Sequence, residues 1–341
     1  MTVKAAFMMS PRNMEVRETQ TPAPEPGWVL LRVRAVAICA SDVHIFHDGH
    51  SSGTYPSGPL ILGHEFSGEV AELGDGVTEV EIGDRVACEP SWVCGTCDMC
   101  QRGLPNLCRN VIFPSFPDNP GAMAEYISVP ASSLCKLPDT MSFTAGALVE
   151  PLGVGLHAVR LSGLQEGQDV AILGAGAIGI SILDVCLHFG AGKTYVADPW
   201  VERQAYPASL GATVVDSAAA LEEMFDDDGS HPPVVFEACG GPTAFAETLP
   251  LVRPAGTAAI VGIPEPDEQC YSARVARRKE LTVQFCRRSR DTLDDCVQLV
   301  AEGKLHAEEY PVKKFSLDEA PAAMQAAMNY DGDMIRAIVC P

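Results

Sequence analysis

Four cysteines stand close together in the first third of the chain, spaced Cys94-x-x-Cys97-x-x-Cys100-x7-Cys108. Thiolates so spaced can surround a tetrahedral Zn²⁺ and leave it no open position, which makes a structural rather than a catalytic site. Gly95 and Gly103 give the backbone the freedom for so tight a wrap. Further on, Gly174-x-Gly176-x-x-Gly179 follows the apolar run Val170 to Leu173 and opens a helical stripe of Ile178, Ile182, Val185, Cys186 and Phe189, closed by Gly190. In that context the glycines form a dinucleotide fingerprint. The first permits a tight turn, the second admits the pyrophosphate, and the third lets helix and strand pack. The helix N-terminus then turns its positive dipole end to the phosphates. Asp198 stands where an acidic residue is expected to meet the adenosine ribose. Its charge would repel a 2′-phosphate, so it favours NAD⁺ over NADP⁺. Arg203, in the following helix, is the residue that could instead accommodate that phosphate.

A second set of donors is scattered. Cys39, His64 and Glu65 lie in a strand-rich stretch, and Glu150 lies at its far end. Thiolate, imidazole and carboxylate together suit a catalytic zinc that keeps one position for water or substrate. A nucleic-acid-binding zinc module is the competing use of a cysteine loop. The formal net charge of −21 and the absence of a basic stripe exclude it, and they count equally against anionic lipid.

The elements that must hold these groups fall into three regimes. A chain of 341 residues suits two domains, and with 47% hydrophobic and 20% charged residues it is globular rather than disordered. Residues 1–151 read as strand-rich, with Ala5 to Met9 as a first strand. Val29, Leu31, Val33, Ala35 and Ala37 alternate with Leu30, Arg32 and Arg34 as a half-buried strand. Residues 152–287 alternate strand and helix: strands at Val170 to Leu173, Thr194 to Ala197, Val234 to Glu237, Thr257 to Val261 and Leu281 to Phe285, and a helix running to Leu210. That alternation predicts a doubly wound parallel sheet. In residues 288–341, Thr292 to Glu302 and Leu317 to Asn329 read as helices and Ile335 to Val339 as a closing strand. Asp226-Asp227-Asp228 before Gly229 reads as a solvated loop. No run approaches the roughly 20 apolar residues that cross a bilayer, and Ala5 to Met9 is too short for a signal-peptide core, so a cytoplasmic protein without a membrane partner is expected. There, thirteen cysteines point to metal rather than disulfides, and Cys186, Cys239 and Cys286, in apolar runs, are expected in the core.

The residues in their order resemble the zinc-containing medium-chain alcohol dehydrogenases, most closely the sorbitol (polyol) dehydrogenase branch. The resemblance rests on Cys39-Ala40-Ser41-Asp42-Val43-His44, Gly63-His64-Glu65-Phe66-Ser67-Gly68-Glu69-Val70, Gly83-Asp84-Arg85-Val86, the cysteine loop, the stretch from Gly146 to Gly155 and the Gly174 fingerprint. It implies a GroES-like β-barrel catalytic domain, a Rossmann domain inserted before the chain's end, a final segment that returns to the catalytic domain, and a homodimer or homotetramer. It implies two zinc ions and NAD per chain. Cys39, His64 and Glu65 match ligands of the catalytic zinc, and Glu150 matches a glutamate that binds the metal or holds its water. Ser41 and His44 match a proton relay, and Cys94, Cys97, Cys100 and Cys108 match the structural zinc lobe. Phe46 and Arg288 match substrate-facing positions, although Ser289 replaces the aromatic residue expected after Arg288. The implied reaction is oxidation of a secondary alcohol of a sorbitol-, xylitol- or iditol-like polyol to a ketose. Threonine, aldose and sugar-phosphate dehydrogenases of the same family are alternatives, as is a non-catalytic dinucleotide-binding relative, which would be marked by loss of a ligand or relay residue.

Overall fold

The computed structural model describes residues 2–50 and 53–341. The chain divides into two compact units, Met1–Glu150 with Leu293–Pro341, and Pro151–Thr292. The second boundary falls at Thr292/Leu293 rather than 287/288, so Arg288 belongs to the second unit.

In the first unit the strand Trp28–Ala37 is the hub. One edge pairs antiparallel with Glu65–Leu73; the other pairs with Tyr126–Pro130 and, at its far end, with Arg336–Cys340. Arg85–Cys88 and Leu134–Lys136 extend this sheet on one side, and Val312–Ser316 lies parallel to Arg336–Cys340 on the other. With neighbours on both edges, the hub buries Leu30 as well as Leu31 and Val33, which blurs the alternation read from the sequence. A smaller sheet joins Asn13–Gln20, Thr2–Ser10 and Leu60–Ile61. The core gathers Leu31, Ile38, Leu62, Phe66 and Met123 together with Met324, Ala337 and Val339. This shared core is why the last segment belongs with the first. Two pairings position the site: Ala37 faces Glu65, and Ile338 faces Ala37. The end of the hub, the start of one neighbour and the start of the other therefore converge.

The second unit is a six-stranded parallel sheet in the order 213–215, 194–197, 170–173, 234–237, 257–260, 282–285. The first strand in sequence lies at the centre beside the fourth, which is the Rossmann arrangement with its reversal of strand order. All four residues of each of the strands Val170–Leu173, Thr194–Ala197 and Val234–Glu237 are buried, as a parallel sheet covered on both faces requires.

Several elements differ from the sequence reading. Phe143–Ser162, to which the sequence reading assigned no element, is a helix with Pro151 within it. The small residues are needed. A Cβ on Gly155 would press on the Ser181 backbone at 2.8 Å, and one on Gly146 would sit 3.1 Å from Ser67 Cβ. The acidic run is the last turn of the helix Ala218–Asp228, not a loop. Leu221 and Phe225 are fully buried along it, which outweighs acidic residues at the unfavourable end of the helix dipole. Asp226 and Asp227 are exposed, while the side chain of Asp228 lies outside the described residues. The helix expected up to Leu210 is a 3₁₀ turn, Val201–Arg203, followed by a short helix, Ala205–Ser209. Cys186 is buried, but Cys239 is exposed and Cys286 half-buried, because both follow the ends of strands.

Candidate metal centres and cofactor turn

The cysteine loop begins at a neck where Trp92 and Ile112 exchange two backbone hydrogen bonds of 3.0 Å. Gly95 and Gly103 adopt left-handed conformations (φ 68° and 71°), which bring the chain back on itself. The Sγ atoms of Cys94, Cys97, Cys100 and Cys108 all lie within 4.8 Å of one another. Cys97–Cys100 and Cys94–Cys108 are 3.6 Å apart and Cys97–Cys108 is 3.9 Å apart. A tetrahedron with Zn–S bonds of about 2.3 Å has edges of about 3.8 Å, so zinc fits this donor set. Backbone N–H groups aid the thiolate form. That of Thr96 is the chief reason the Cys94 thiol is pulled down to about 5.

The second cluster forms where the strands converge. Cys39 caps the helix Ala40–Asp48, His64 immediately precedes the strand Glu65–Leu73, and Glu65 opens it opposite Ala37 of the hub. One donor atom of each lies within 4.8 Å of the others, and His64 and Glu65 are buried. Asp42, fully buried, ties the pieces together. One carboxylate oxygen accepts the Cys39 N–H at 3.1 Å; the other accepts the Gly63 N–H at 3.1 Å and lies 3.3 Å from His64 Nδ1. Ser115 Oγ lies 3.2 Å from the same nitrogen, and the Phe113 ring packs on the imidazole with centroids 5.0 Å apart. Nδ1 is thus engaged, which orients the ring and leaves Nε2 for the cluster, the arrangement a metal-binding histidine needs. Burial opposes a charged His64, yet the negative charges of Asp42 and Cys39 hold its pKa well above the usual histidine value. A pocket that draws positive charge between a thiolate and a carboxylate is one a divalent cation suits.

Arg336, 9% exposed, donates to Glu65 Oε1 at 2.7 Å. The other oxygen, Glu65 Oε2, is buried and has no hydrogen-bond partner, so it is free to accept a cation. Arg336 was invisible to the sequence reading because 271 residues separate it from Glu65. The register of the closing strand on the hub brings the two together. Glu150 reaches the same neighbourhood on the helix Phe143–Ser162, whose start is anchored where Ser67 Oγ donates to the Phe143 carbonyl at 2.5 Å. Glu150 is 8% exposed and stands outside the compact three-donor group. Burial first, and the charge of Glu65 second, push its carboxyl up to about 8.

In the second unit, each fingerprint glycine has the surroundings its position calls for. Gly174 turns at φ 102°. A Cβ on Gly179 would collide with the Gly174 carbonyl oxygen, so only glycine lets helix and strand pack here. A Cβ on Gly176, half-buried, would meet only Arg203 Nη1, in ordinary contact at 3.7 Å. The helix Ala177–His188 starts there, with Ile178 half-buried in its first turn. A phosphate therefore has both room and a helix N-terminus at this turn, and a dinucleotide fits. Asp198 is 3% exposed; its oxygens accept the Ala175 N–H at 2.7 Å and the Trp200 N–H at 2.9 Å. It clamps the glycine turn to the end of the second strand. Arg203, expected inside the following helix, lies in the 3₁₀ segment instead, and its Nη1 reaches the glycine turn.

The remaining expected residues are dispersed. Ser41, half-buried, and His44, exposed, lie three apart on the helix that Cys39 caps, hence on one face. Phe46 on that helix is 3% exposed and packs in the core cluster of the first unit. Arg288 is half-buried with a left-handed backbone (φ 55°), so its side chain leaves the line of the preceding strand. Asp42, Ser115 and Arg336 are the functional residues that sequence reasoning missed. Asp42 alone carried a signal, standing between Cys39 and His44.

Residues 25–139 match the family described as the alcohol dehydrogenase GroES-like domain, and residues 177–302 match the zinc-binding dehydrogenase family. The chain is 32% identical to the sorbitol dehydrogenase of Bacillus subtilis (strain 168), over 99% of this chain and 97% of that one. Among solved structures it resembles 2R,3R-butanediol dehydrogenase from Bacillus subtilis, with a TM-score of 0.89 and 31% identity over 99% of both chains. It also resembles a zinc-binding dehydrogenase from Sinorhizobium meliloti 1021 bound to NADP, with a TM-score of 0.90 and 30% identity over 100% of both.

Proposed function

Given that the chain belongs to the zinc-dependent medium-chain alcohol dehydrogenase family, in its polyol branch, we propose that it oxidises a secondary alcohol of a polyhydroxy compound to the ketone and passes the hydride to NAD⁺. The observation that carries the substrate class is the donor chemistry around Cys39. Two buried carboxylates, Glu65 and Glu150, and the Arg336 guanidinium make an oxygen-rich, polar site. A ligand with several hydroxyls finds partners there, whereas a simple alcohol leaves polar groups unpaired. The likeness to a sorbitol dehydrogenase supports this reading, and the likeness to a butanediol dehydrogenase keeps a short vicinal diol within the same class.

Cys39, His64 and Glu65 would hold the catalytic zinc, and Cys94, Cys97, Cys100 and Cys108 a structural one. The first ion supplies a Lewis acid that makes the substrate hydroxyl more acidic, and NAD⁺ accepts hydride. The chain's own residues do the rest. Asp42 and Ser115 hold His64 in orientation. Ser41, two residues from Cys39, takes the hydroxyl proton, and His44, on the same helix face and exposed, passes it to water. Glu150 orients water or substrate beside Glu65. Arg288 contributes a planar fork of N–H donors to neighbouring hydroxyls.

NADP⁺ is the second reading of the cofactor, favoured by one observation: Arg203 Nη1 reaches the glycine turn. The substrate test is a comparison of kcat/KM for polyols, vicinal diols and propan-2-ol. Arg288→Ala should raise the polyol KM about tenfold, the worth of a charge-assisted hydrogen bond, and leave propan-2-ol nearly unchanged. If propan-2-ol outperforms every polyol and diol, the substrate assignment fails.

A further inference from the structure

The strand Val234–Glu237 of the second unit ends on a carboxylate that is 1% exposed. The Glu237 side chain turns back on the residues that follow it. Its Oε1 accepts the Cys239 N–H at 2.8 Å and the Gly240 N–H at 2.6 Å. Hydrogen bonds to a carboxylate are among the stronger ones a fold makes. The main-chain carbonyl of the same residue accepts the Val261 and Gly262 N–H groups at 2.8 and 3.0 Å, and the Gly240 carbonyl accepts the Glu265 N–H at 3.1 Å. One buried residue thus fastens the turn 238–241 to the segment 261–265 that leaves the next strand. No space is left between them. A Cβ on Gly262 would press on Glu237 Oε2 at 2.6 Å, and one on Gly240 (φ 66°) would collide with the Ile263 carbonyl oxygen.

This turn borders the cofactor crevice. The strand order reverses between Val170–Leu173 and Val234–Glu237, and a ligand of such a sheet lies outside the carboxyl ends of those two strands. The glycine turn 174–176 makes one wall there and the turn 238–241 the other. The two walls touch: the Ala238 N–H donates to the Leu173 carbonyl at 2.9 Å, and a Cβ on Gly174 would lie 3.0 Å from Cys239 Cβ. Asp198 ends the strand on the opposite side of Val170–Leu173 from Glu237. With the adenosine half of a dinucleotide toward Asp198 and the pyrophosphate at the glycine turn, the nicotinamide half is left for the side of Glu237. Cys239 is exposed and Gly240 half-buried, so the turn keeps a face for a ligand while the carboxylate behind it stays covered. We infer that Glu237 is a positioning residue that holds the turn 238–241 as the wall of the nicotinamide half, an inference that rests on the reading of the second unit as a dinucleotide site.

The test is titration of the purified, zinc-containing protein with NADH and NADPH, followed by cofactor fluorescence, and with ADP, followed by calorimetry. Glu237→Ala should weaken the tighter-bound of the two reduced cofactors about tenfold, the cost of ordering roughly one residue of the freed turn on binding. It should raise the KM of the matching oxidised cofactor by more than it lowers kcat. ADP, which lacks the nicotinamide half, should bind within twofold of its wild-type affinity. Glu237→Gln, which still offers an oxygen to both N–H groups, should bind the reduced cofactor within threefold of wild type. Should Glu237→Ala fail to fold, Glu237→Asp, one methylene too short to reach the Gly240 N–H, takes its place with the same expected loss. The inference is overturned if the folded truncation binds the reduced cofactor as wild type does, if ADP is weakened as much as the cofactor, or if Glu237→Gln is as weak as the truncation. Wild-type protein that binds neither reduced cofactor nor ADP would overturn the dinucleotide reading, and this inference with it.

Discussion

Removing Arg336 should be among the most damaging single changes in the first unit, and the damage should run through Glu65. The two form an ion pair of 2.7 Å with side chains only 9% and 1% exposed. Arg336→Met keeps the length and apolar stem but leaves the Glu65 charge buried near Glu150. With no metal on Glu65, breaking one side of such a pair costs about 3–5 kcal/mol, mostly from the stranded charge rather than from the lost contact. For a unit of this size that is roughly 10 °C in Tm. In a Glu65→Gln background the stranded charge is gone, and the same substitution should cost only about 1–2 kcal/mol. The cycle therefore predicts a coupling of about 2–3 kcal/mol, measured by urea unfolding of the four proteins followed by circular dichroism, with zinc quantified in each. Arg336→Lys, which keeps the charge without the fork, should recover part of the loss. An equal cost of Arg336→Met in both backgrounds would refute the reasoning, because Arg336 would then act by packing alone.

Three other outcomes follow from the same geometry. Asp198→Asn should narrow the preference for NAD⁺ over NADP⁺ by at least tenfold in kcat/KM, and wild-type protein that prefers NADP⁺ would transfer the cofactor reading to Arg203. His44→Ala should slow alcohol oxidation most at low pH, where proton release is hardest, with partial rescue by concentrated imidazole buffer; an unaltered pH–rate profile would leave His44 as a surface residue. His157, 3% exposed, has its pKa lowered to about 4 by burial first and by Arg290 and Arg160 second. The unfolded chain then binds an extra proton between about pH 4 and 6.5, so stability should rise with pH across that window, by up to about 3 kcal/mol. His157→Gln should flatten that part of a urea-midpoint-against-pH curve.

What could be read from the sequence was what is local. The cysteine loop, the glycine turn with its strand and helix, and Cys39 beside Ser41 and His44 are each written within a short span, where spacing and chemistry coincide. The parallel sheet was legible because fully buried strands read as short apolar runs between glycines. What depends on register was not. Arg336 meets Glu65 only because the closing strand pairs with the hub. Local propensity also misled in places. Pro151 and three glycines, Gly146, Gly153 and Gly155, lie within the helix Phe143–Ser162, where packing against Ser67 and Ser181 demands small residues. The acidic run of the helix Ala218–Asp228 read as loop because two buried residues, Leu221 and Phe225, carry the helix against its charge.

The most direct test of two dissimilar zinc centres is metal analysis by mass spectrometry of the unchelated protein and two variants. Wild type should hold two zinc ions per chain. Cys39→Ser should lose the ion of the mixed cluster and all turnover while keeping its thermal unfolding. Cys97→Ser should lose the ion of the cysteine loop and unfold at a lower temperature. Wild-type protein with no more than one zinc ion per chain, or a Cys39→Ser variant that still turns over, would contradict it.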